Sequence, residues 1–164
     1  MNKLRKAVFF DRDGVINKNR PDYVKTVEEL EIFPYVAKSI KQLKKQGYLV
    51  VVITNQSAIN RGLTDDDKVS EIHQTIQKHL LKHSSGIDAF YYCPHRPDEN
   101  CVCRKPKPGL LLKASQELEI DLKSSWMIGD NESDIQAAES VGCKALKIRE
   151  NFQLKHAVQS ILNS

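Results

Sequence analysis

The sequence predicts an α/β protein with a doubly wound parallel sheet, in which helices cover both faces. Short apolar runs alternate with longer amphipathic segments along the chain, which is the order of elements in such folds. Residues 49–53 form a continuous, β-branched run, as expected for a strand that is buried on both faces. With 164 residues, 40% of them hydrophobic and 28% charged, the chain fits one globular domain at residues 1–164.

Five short apolar runs are predicted to form the strands of this sheet. They are residues 7–10, 49–53, 89–92, 126–128 and 145–148. Polar, small or acidic residues follow three of these runs: Asp11 and Asp13, Thr54 and Asn55, and Gly129 and Asp130. Parallel strands end at a shared edge of the sheet, where α/β folds bind their ligands, so we expect these residues to meet at one site.

Five helices are predicted from apolar residues that recur at helical spacing. Pro34 favours the start of the first helix and Gly47 favours its end. Thr64, with Asp67 three residues later, resembles an N-cap pair at the start of the second helix. The remaining helices are expected near residues 110–118, 133–141 and 154–162.

Composition and charge favour a cytoplasmic protein with no membrane or nucleic-acid partner, and a monomer is expected. No apolar run approaches the ~20 residues that cross a bilayer, and the short run at residues 7–10 is too small for the apolar region of a signal peptide. The net charge is a mild +4. The densest basic group has helical spacing, which is typical of a solvated helix face, and it consists of Lys38, Lys41, Lys44 and Lys45.

The segment Asp-Arg-Asp-Gly at residues 11–14 is the first candidate site. Residues i and i+2 of an extended backbone point to the same side, so both carboxylates can face one ligand. Together with Asp130 they provide three oxygen donors, which suit magnesium and would repel one another without a cation. A simpler interpretation is that the pair only caps a turn. A calcium loop is excluded, because Val15 stands at its fifth position, which needs Asp or Asn, and Ile16 stands at its sixth, which needs Gly.

Three further segments carry groups that bind phosphate. They are Thr54-Asn55-Gln56-Ser57, Arg104-Lys105-Pro106-Lys107-Pro108 and Gly129-Asp130-Asn131-Glu132-Ser133-Asp134. Hydroxyl and amide groups hydrogen-bond phosphate oxygens, and cations near a helix start attract them. In this order, and together with residues 11–14, the segments resemble the four motifs of the haloacid dehalogenase-like phosphohydrolases. The resemblance extends over residues 8–142.

The resemblance implies a Rossmann-like, magnesium-dependent phosphatase without a large cap domain. Asp11 would attack phosphorus and form an aspartyl-phosphate, and Asp13 would serve as general acid and then as general base. Thr54 and Lys105 would bind the phosphoryl oxygens. The other substrate-binding candidates are Arg12, Tyr23, Asn55, Gln56, Ser57, Arg61, Arg104 and Asn131.

The resemblance also implies which groups would hold the magnesium ion. The ligands would be the carboxylates of Asp11 and Asp130 and the backbone carbonyl of Asp13. Asp134 is expected to orient its neighbours instead of binding the metal directly.

A cluster of cysteines predicts a second metal site. Cys93, His95, Cys101 and Cys103 offer three thiolates and one imidazole, a donor set that suits a closed, structural zinc site. Disulfides are disfavoured in the cytoplasm, and free buried thiols beside a chance histidine are the alternative. Cys143 is expected in the core. No function is assigned to the other histidines, which are His73, His79, His83 and His156.

Two subgroups of zinc-bearing phosphatases without a large cap resemble the chain. Arg61-Gly62 and Tyr23-Val24 are similar to the subgroup that acts on D-glycero-D-manno-heptose 1,7-bisphosphate, in which Arg61 would contact the second phosphate. The five-residue spacer between His95 and Cys101 is closer to histidinol-phosphate phosphatases. Asn131 stands where the heptose subgroup usually has Lys. Because Arg61-Gly62 and Tyr23-Val24 match, the heptose bisphosphate is the favoured substrate in spite of these two departures, and histidinol phosphate is the alternative.

Two other classes remain open at this stage. A polynucleotide 3′-phosphatase shares the Asp-x-Asp-Gly chemistry but needs a basic groove or stacking aromatics, and the 7% of aromatic residues lie mainly in strand runs. A non-catalytic zinc module would explain the cysteines but would give the acidic residues at the strand ends no role.

Overall fold

The computed structural model describes residues 3–164, and within them the strands form one parallel sheet. The strands are β1 (Ala7–Phe10), β2 (Leu49–Asn55), β3 (Ala89–Cys93), β4 (Trp126–Gly129) and β5 (Lys144–Lys147). Their order across the sheet is β3-β2-β1-β4-β5, with every pair parallel. The predicted α/β fold is confirmed. The chain changes direction across the sheet beside β1, and such a switch point opens a ligand crevice at the carboxyl ends of the strands.

The helices lie close to their predicted positions. They are α1 (Val36–Lys45), α2 (Asp66–Lys82), α3 (Gly109–Leu118), α4 (Glu132–Glu139) and α5 (Leu154–Leu162). Single turns of 3-10 helix cover Val27–Glu29, Pro97–Glu99 and Leu122–Ser124. The helix near 154–162 has the predicted bounds, whereas the helix near 133–141 ends two residues earlier, at Glu139.

The predicted N-cap of α2 is wrong by one residue. Asp65 is extended (φ −142°, ψ 172°), and its carboxylate accepts a hydrogen bond from the amide of Lys68 at 2.8 Å. The hydroxyl of Thr64 instead donates to the carbonyl of Lys25 at 2.8 Å. Thr64 therefore fixes a neighbouring loop, while the carboxylate of Asp65 satisfies the first turn of the helix.

Alternate residues of the central strand anchor two hydrophobic cores. Val8 and Phe10 pack on the face that α1, α2 and α5 cover. Ala7 and Phe9 pack on the opposite face, against α3 and α4. All four are fully buried, so both faces of the sheet are covered as the continuous apolar runs predicted.

The outer surface carries the predicted basic helix face. The side chains of this group lie exposed along α1: Lys38, Lys41, Lys44 and Lys45. Across residues 3–164, the helices are all too short or too polar to traverse a bilayer.

Candidate active site

The loop after β1 brings the first predicted carboxylate to the edge of the sheet. The amide of Asp11 donates to the carbonyl of Ile128 at 3.0 Å, which continues the pairing of β1 with β4 beyond the strand end. Gly14 has φ +91°, and a Cβ at this position would overlap the carboxylate of Asp130. Only glycine therefore allows the two motifs to approach this closely.

Three carboxylates meet at this point. Oxygen atoms of Asp11, Asp130 and Asp134 all lie within 4.8 Å of one another. The ammonium group of Lys105 contacts the cluster through hydrogen bonds to Asp11 Oδ1 (2.9 Å) and Asp134 Oδ1. Three carboxylates against one ammonium leave two negative charges without compensation when all are ionised.

This charge imbalance fits a divalent cation. Burial, together with the neighbouring carboxylates, raises the pKa of Asp11 to about 8 although Lys105 opposes the shift. A cation between Asp11 and Asp130 would oppose that shift and favour the ionised carboxylate. The oxygen donors present are those that magnesium prefers. Both carboxylate oxygens of Asp134 are already engaged, by Lys105 and by the amide of Asn131 (3.1 Å).

Lys105 is held rigidly under the cavity. Burial alone would lower its pKa, but Asp11 and Asp134 raise it, so the side chain stays protonated. Its ammonium donates also to the carbonyl of Ile53 at 2.8 Å, and the side chain is 3% exposed. The backbone amide of Lys105 donates to Asn55 Oδ1 at 3.1 Å, and Asn55 Nδ2 donates to the backbone carbonyl of Lys105 at 3.2 Å. The side chain of Asn55 thus forms the pair of backbone hydrogen bonds that a neighbouring strand would form.

Asp13 is oriented by three donors. Its Oδ1 accepts hydrogen bonds from Arg12 Nη2 and Asn17 Nδ2, both at 3.0 Å, and its Oδ2 accepts from Gln56 Nε2 at 2.8 Å. Burial would raise the pKa of Asp13, but the charge of Arg12 and the three hydrogen bonds lower it. Gln56 donates also to the hydroxyl of Thr54 at 2.9 Å and so joins two of the predicted motifs.

A cavity of about 270 Å³ opens above these groups. Eight predicted site residues line it: Asp11, Asp13, Tyr23, Asn55, Gln56, Arg104, Lys105 and Asn131. Asp134 also lines the cavity. Three further lining residues, Asn19, Val24 and Ser133, were not among the predicted site residues, although Val24 and Ser133 stand in segments that the sequence analysis identified. Asn19 lies in the same loop as Tyr23 and Val24, so proximity to those two residues was the available signal.

Other predicted site residues lie outside the cavity lining. Arg12 was predicted to bind substrate, but its side chain is fully buried and contacts His73 and Asp13 instead. Thr54 is 1% exposed beneath the cavity. Arg61 is exposed and Ser57 is buried in the same loop. Arg61 Nε donates a hydrogen bond to the hydroxyl of Ser57 at 3.3 Å.

The Tyr23 loop forms a wall of the cavity. Tyr23 has φ +67°, a left-handed conformation that is uncommon for a bulky residue. Ion pairs hold the preceding residue: Asp22 lies 3.1 Å from Arg20 and 3.0 Å from Lys25. The guanidinium of Arg61 lies 6.0 Å from the centre of the Tyr23 ring, so a cation stands at the outer rim of this wall.

The predicted zinc ligands also come together. One ligand atom from each of Cys93, His95, Cys101 and Cys103 lies within 4.8 Å of the others. His95 Nδ1 is 3.3 and 3.2 Å from the sulfurs of Cys93 and Cys103, and Cys93 is 3.6 Å from Cys101. Edges of about 3.8 Å are expected for a tetrahedral zinc site with Zn–S bonds of about 2.3 Å. The Cys93–Cys103 edge, at 2.8 Å, would have to open.

The cysteine cluster is tied to the active site. Arg104 and Lys105 follow its last residue directly, and Arg104 Nη1 donates to the carbonyl of His95 at 3.2 Å. The side-chain amide of Asn60 donates to both carboxylate oxygens of Glu99 at 3.1 Å, which connects the cluster loop to the loop of Arg61. Cys143 lies apart from the cluster and is 2% exposed, as predicted for a core residue.

Known proteins resemble the chain over most of its length. The sequence profile of the haloacid dehalogenase-like hydrolases matches residues 17–142. The D-glycero-beta-D-manno-heptose-1,7-bisphosphate 7-phosphatase of Helicobacter pylori strain J99 is 45% identical over 155 residues, which cover 94% of this chain and 86% of the relative. The Photorhabdus laumondii protein of the same name is 39% identical over an alignment of 171 positions, which covers 96% of this chain and 90% of the relative.

The similarity extends to a solved structure. The D,D-heptose 1,7-bisphosphate phosphatase from B. bronchiseptica, crystallised with magnesium and phosphate, superposes with a TM-score of 0.89. It is 30% identical, and the match covers 96% of this chain and 98% of that one. The family assignment made from the four motifs is confirmed: the chain belongs to the haloacid dehalogenase-like hydrolases.

Proposed function

We propose that this chain is a magnesium-dependent phosphomonoesterase that removes the 7-phosphate of D-glycero-D-manno-heptose 1,7-bisphosphate through an aspartyl-phosphate. One observation carries the chemistry. The carboxylate of Asp11 lies in the cavity wall beside Asp130, in a cluster whose negative charge Lys105 only partly compensates. The names and coverage of the relatives support the substrate.

Asp11 is the nucleophile in this proposal. A carboxylate oxygen attacks phosphorus, the bond to the leaving sugar oxygen breaks, and an aspartyl-phosphate forms. Asp11, Asp130 and the backbone carbonyl of Asp13 would hold a magnesium ion, which would supply positive charge for the phosphoryl oxygens. Lys105 contributes a fixed positive charge beneath the same group, and Thr54 offers a hydroxyl from the neighbouring strand end.

Asp13 moves the protons. It protonates the leaving sugar oxygen in the first step and accepts a proton from the attacking water in the second. In that second step the water oxygen bonds to phosphorus, the bond between phosphorus and Asp11 breaks, and inorganic phosphate leaves with the Asp11 carboxylate restored. Its lowered pKa suits the second task, because the carboxylate is the basic form. An incoming phosphate dianion raises the pKa of a neighbouring carboxyl by like-charge repulsion, which favours the protonated form that the first task needs.

Cations at the rim suit the second phosphate of a bisphosphate. Arg104 lines the cavity, and Arg61 lies beyond it, next to Tyr23. We assign Arg61 and Arg104 to the phosphate that does not react. Asn131 donates to Asp130 Oδ1 at 3.0 Å, so at this position the chain provides a neutral amide that orients a carboxylate.

We further propose that the cysteine cluster holds a structural zinc ion. Four protein ligands leave no open position for water, so the ion would fix the loop before Arg104 and Lys105 instead of taking part in the reaction. One zinc per chain is the expected stoichiometry, and a preparation that folds normally with none would contradict this role.

Phosphate release from two substrates tests the proposed specificity. The heptose 1,7-bisphosphate and histidinol phosphate are compared at equal concentration with magnesium present. We expect a higher kcat/KM for the heptose bisphosphate, and Arg61→Ala should lower that preference because it removes a contact to the second phosphate. A large preference for histidinol phosphate would overturn the substrate assignment while leaving the reaction type intact.

A further inference from the structure

Arg12 connects the candidate active site to helix α2. It stands between Asp11 and Asp13 in the sequence, yet its side chain is directed into the protein and is fully buried. Nη2 donates to Asp13 Oδ1 at 3.0 Å, and Nη1 lies 3.2 Å from Nε2 of His73 on α2. A guanidinium has donors only, so Nε2 must be the acceptor and His73 carries its proton on Nδ1.

The surroundings of His73 keep it neutral. The residue is 7% exposed, and its ring stacks on Phe90 with centroids 4.6 Å apart and planes 15° apart. Burial and the charge of Arg12 lower the pKa of His73 to about 3, while Asp13 opposes the shift. Tyr92 meets the ring edge-on at 6.0 Å. The imidazole is thus a fixed, uncharged acceptor aimed at Arg12.

We propose that His73 is a positioning residue that orients Asp13 through Arg12. The guanidinium is held at two ends, by His73 and by Asp13, and Arg12 Nε finds no hydrogen-bond partner within residues 3–164. Its orientation therefore depends on these two contacts. Asn17 and Gln56 hold the same carboxylate through neutral amides, so Arg12 provides the cation that directs it.

This inference rests on the proposed role of Asp13 in proton transfer. General acid–base catalysis contributes about 10²–10⁴-fold, and a displacement of about 1 Å can cost about 10²-fold. His73 lies outside the cavity lining and faces a separate groove with Phe90 and Tyr92. A change at His73 should therefore slow the chemical steps and leave substrate binding unchanged.

Two substitutions distinguish the role of His73 as a hydrogen-bond acceptor from its role in packing against Phe90. His73→Phe keeps a ring that can stack on Phe90 but removes the acceptor, whereas the side-chain carbonyl of His73→Gln can replace Nε2. We expect His73→Phe to lower kcat roughly ten- to hundredfold with KM within about twofold, and His73→Gln to stay within about threefold of the unsubstituted protein. Ile76→Val, at a buried position on the same helix, is the packing control and should keep full kcat.

An aryl phosphate gives a second readout. Its leaving group needs no proton, so the aspartyl-phosphate forms without the acid role of Asp13, but its hydrolysis still needs the base role. His73→Phe should then show a larger burst of aryl alcohol before the steady state than the unsubstituted protein does. Unchanged kcat, a loss confined to KM, or an equal loss in His73→Gln would overturn the inference.

The contact itself is measured without turnover. Nitrogen-15 NMR of the unsubstituted protein at pH 7 should show His73 neutral, with the proton on Nδ1 and Nε2 unprotonated. A proton on Nε2 would overturn the inference, whatever the variants do. If the unsubstituted protein released no phosphate from any monoester, the proposed function would fail, and the NMR measurement would still decide whether His73 accepts from Arg12.

Discussion

Lys105→Met should lower the stability of the protein, because it removes the cation that neutralises part of the carboxylate cluster in the active site. The substitution keeps an unbranched side chain of similar length but removes the ammonium group that donates to Asp11, Asp134 and the carbonyl of Ile53. Both carboxylates are at most 8% exposed at the side chain, so solvent can compensate only a small part of the lost interaction. The partners of Lys105 would remain buried without compensation.

The expected loss is about 3–5 kcal/mol, the usual cost of removing one partner from a buried ion pair. Lys105 lowers the pKa of Asp11, so its removal would raise that pKa further, and protonation of Asp11 then relieves part of the cost. Asp11 of the unsubstituted protein ionises near pH 8, so the loss should be larger near pH 8.5 than near pH 6. For a domain of this size, about 3 kcal/mol corresponds to a fall in Tm of roughly 6–12 °C.

Urea unfolding in buffer without added magnesium measures this loss. Lys113→Met, at an exposed position on α3, is the control and should change the free energy of unfolding by less than about 0.5 kcal/mol. Adding Asp134→Asn to Lys105→Met should recover at least about 1 kcal/mol, because the second change removes one uncompensated charge. A loss below about 1 kcal/mol for Lys105→Met would refute the assigned charge balance.

Three further outcomes can be measured. Gly14→Ala should cost well over the ~1–2 kcal/mol of a strained φ, because its Cβ overlaps Asp130, whereas Gly62→Ala (φ +74°, with open space at its Cβ) should show the strain alone in urea unfolding. The pKa of His73 is 6.5 in the unfolded chain and about 3 in the folded protein, so between these values only the unfolded chain is protonated there. Lowering the pH from 7 to 5 should therefore reduce the free energy of unfolding of the unsubstituted protein by about 2 kcal/mol through this group, and His73→Gln should lack that reduction. Cys101→Ser should lose the bound zinc in metal analysis, and Cys143→Ala, outside the cluster, should retain it; equal zinc contents would contradict the ligand assignment.

The strands and their polar ends could be predicted because the signals are local. A run such as residues 49–53 is apolar and β-branched, and both cores bury it. The convergence of Asp11 and Asp130 follows from the shared edge of a parallel sheet, without knowledge of any side-chain rotamer. The metal site in the Cys93–Cys103 segment could be predicted for the same reason, since all four donors lie within eleven residues.

The remaining features depend on contacts between distant segments. Arg12 could have faced the cavity or the core, and its contact in the core is His73 on α2, 61 residues later in the sequence. The helical pattern of α2 gave no sign that this histidine is buried against a cation. The cap of α2 was misplaced because Thr64 found a partner in another loop, Lys25, which sequence spacing does not report.

Chemical trapping of the aspartyl-phosphate tests the central claim most directly. The unsubstituted protein is mixed with substrate and magnesium, quenched in acid within milliseconds and reduced with borohydride, which converts a phosphorylated aspartate to homoserine. Mass spectrometry should find homoserine at residue 11 alone, and Asp11→Asn should show neither this product nor turnover while its unfolding curve stays cooperative. Homoserine at Asp13, or steady phosphate release by Asp11→Asn, would contradict the assignment of Asp11 as nucleophile.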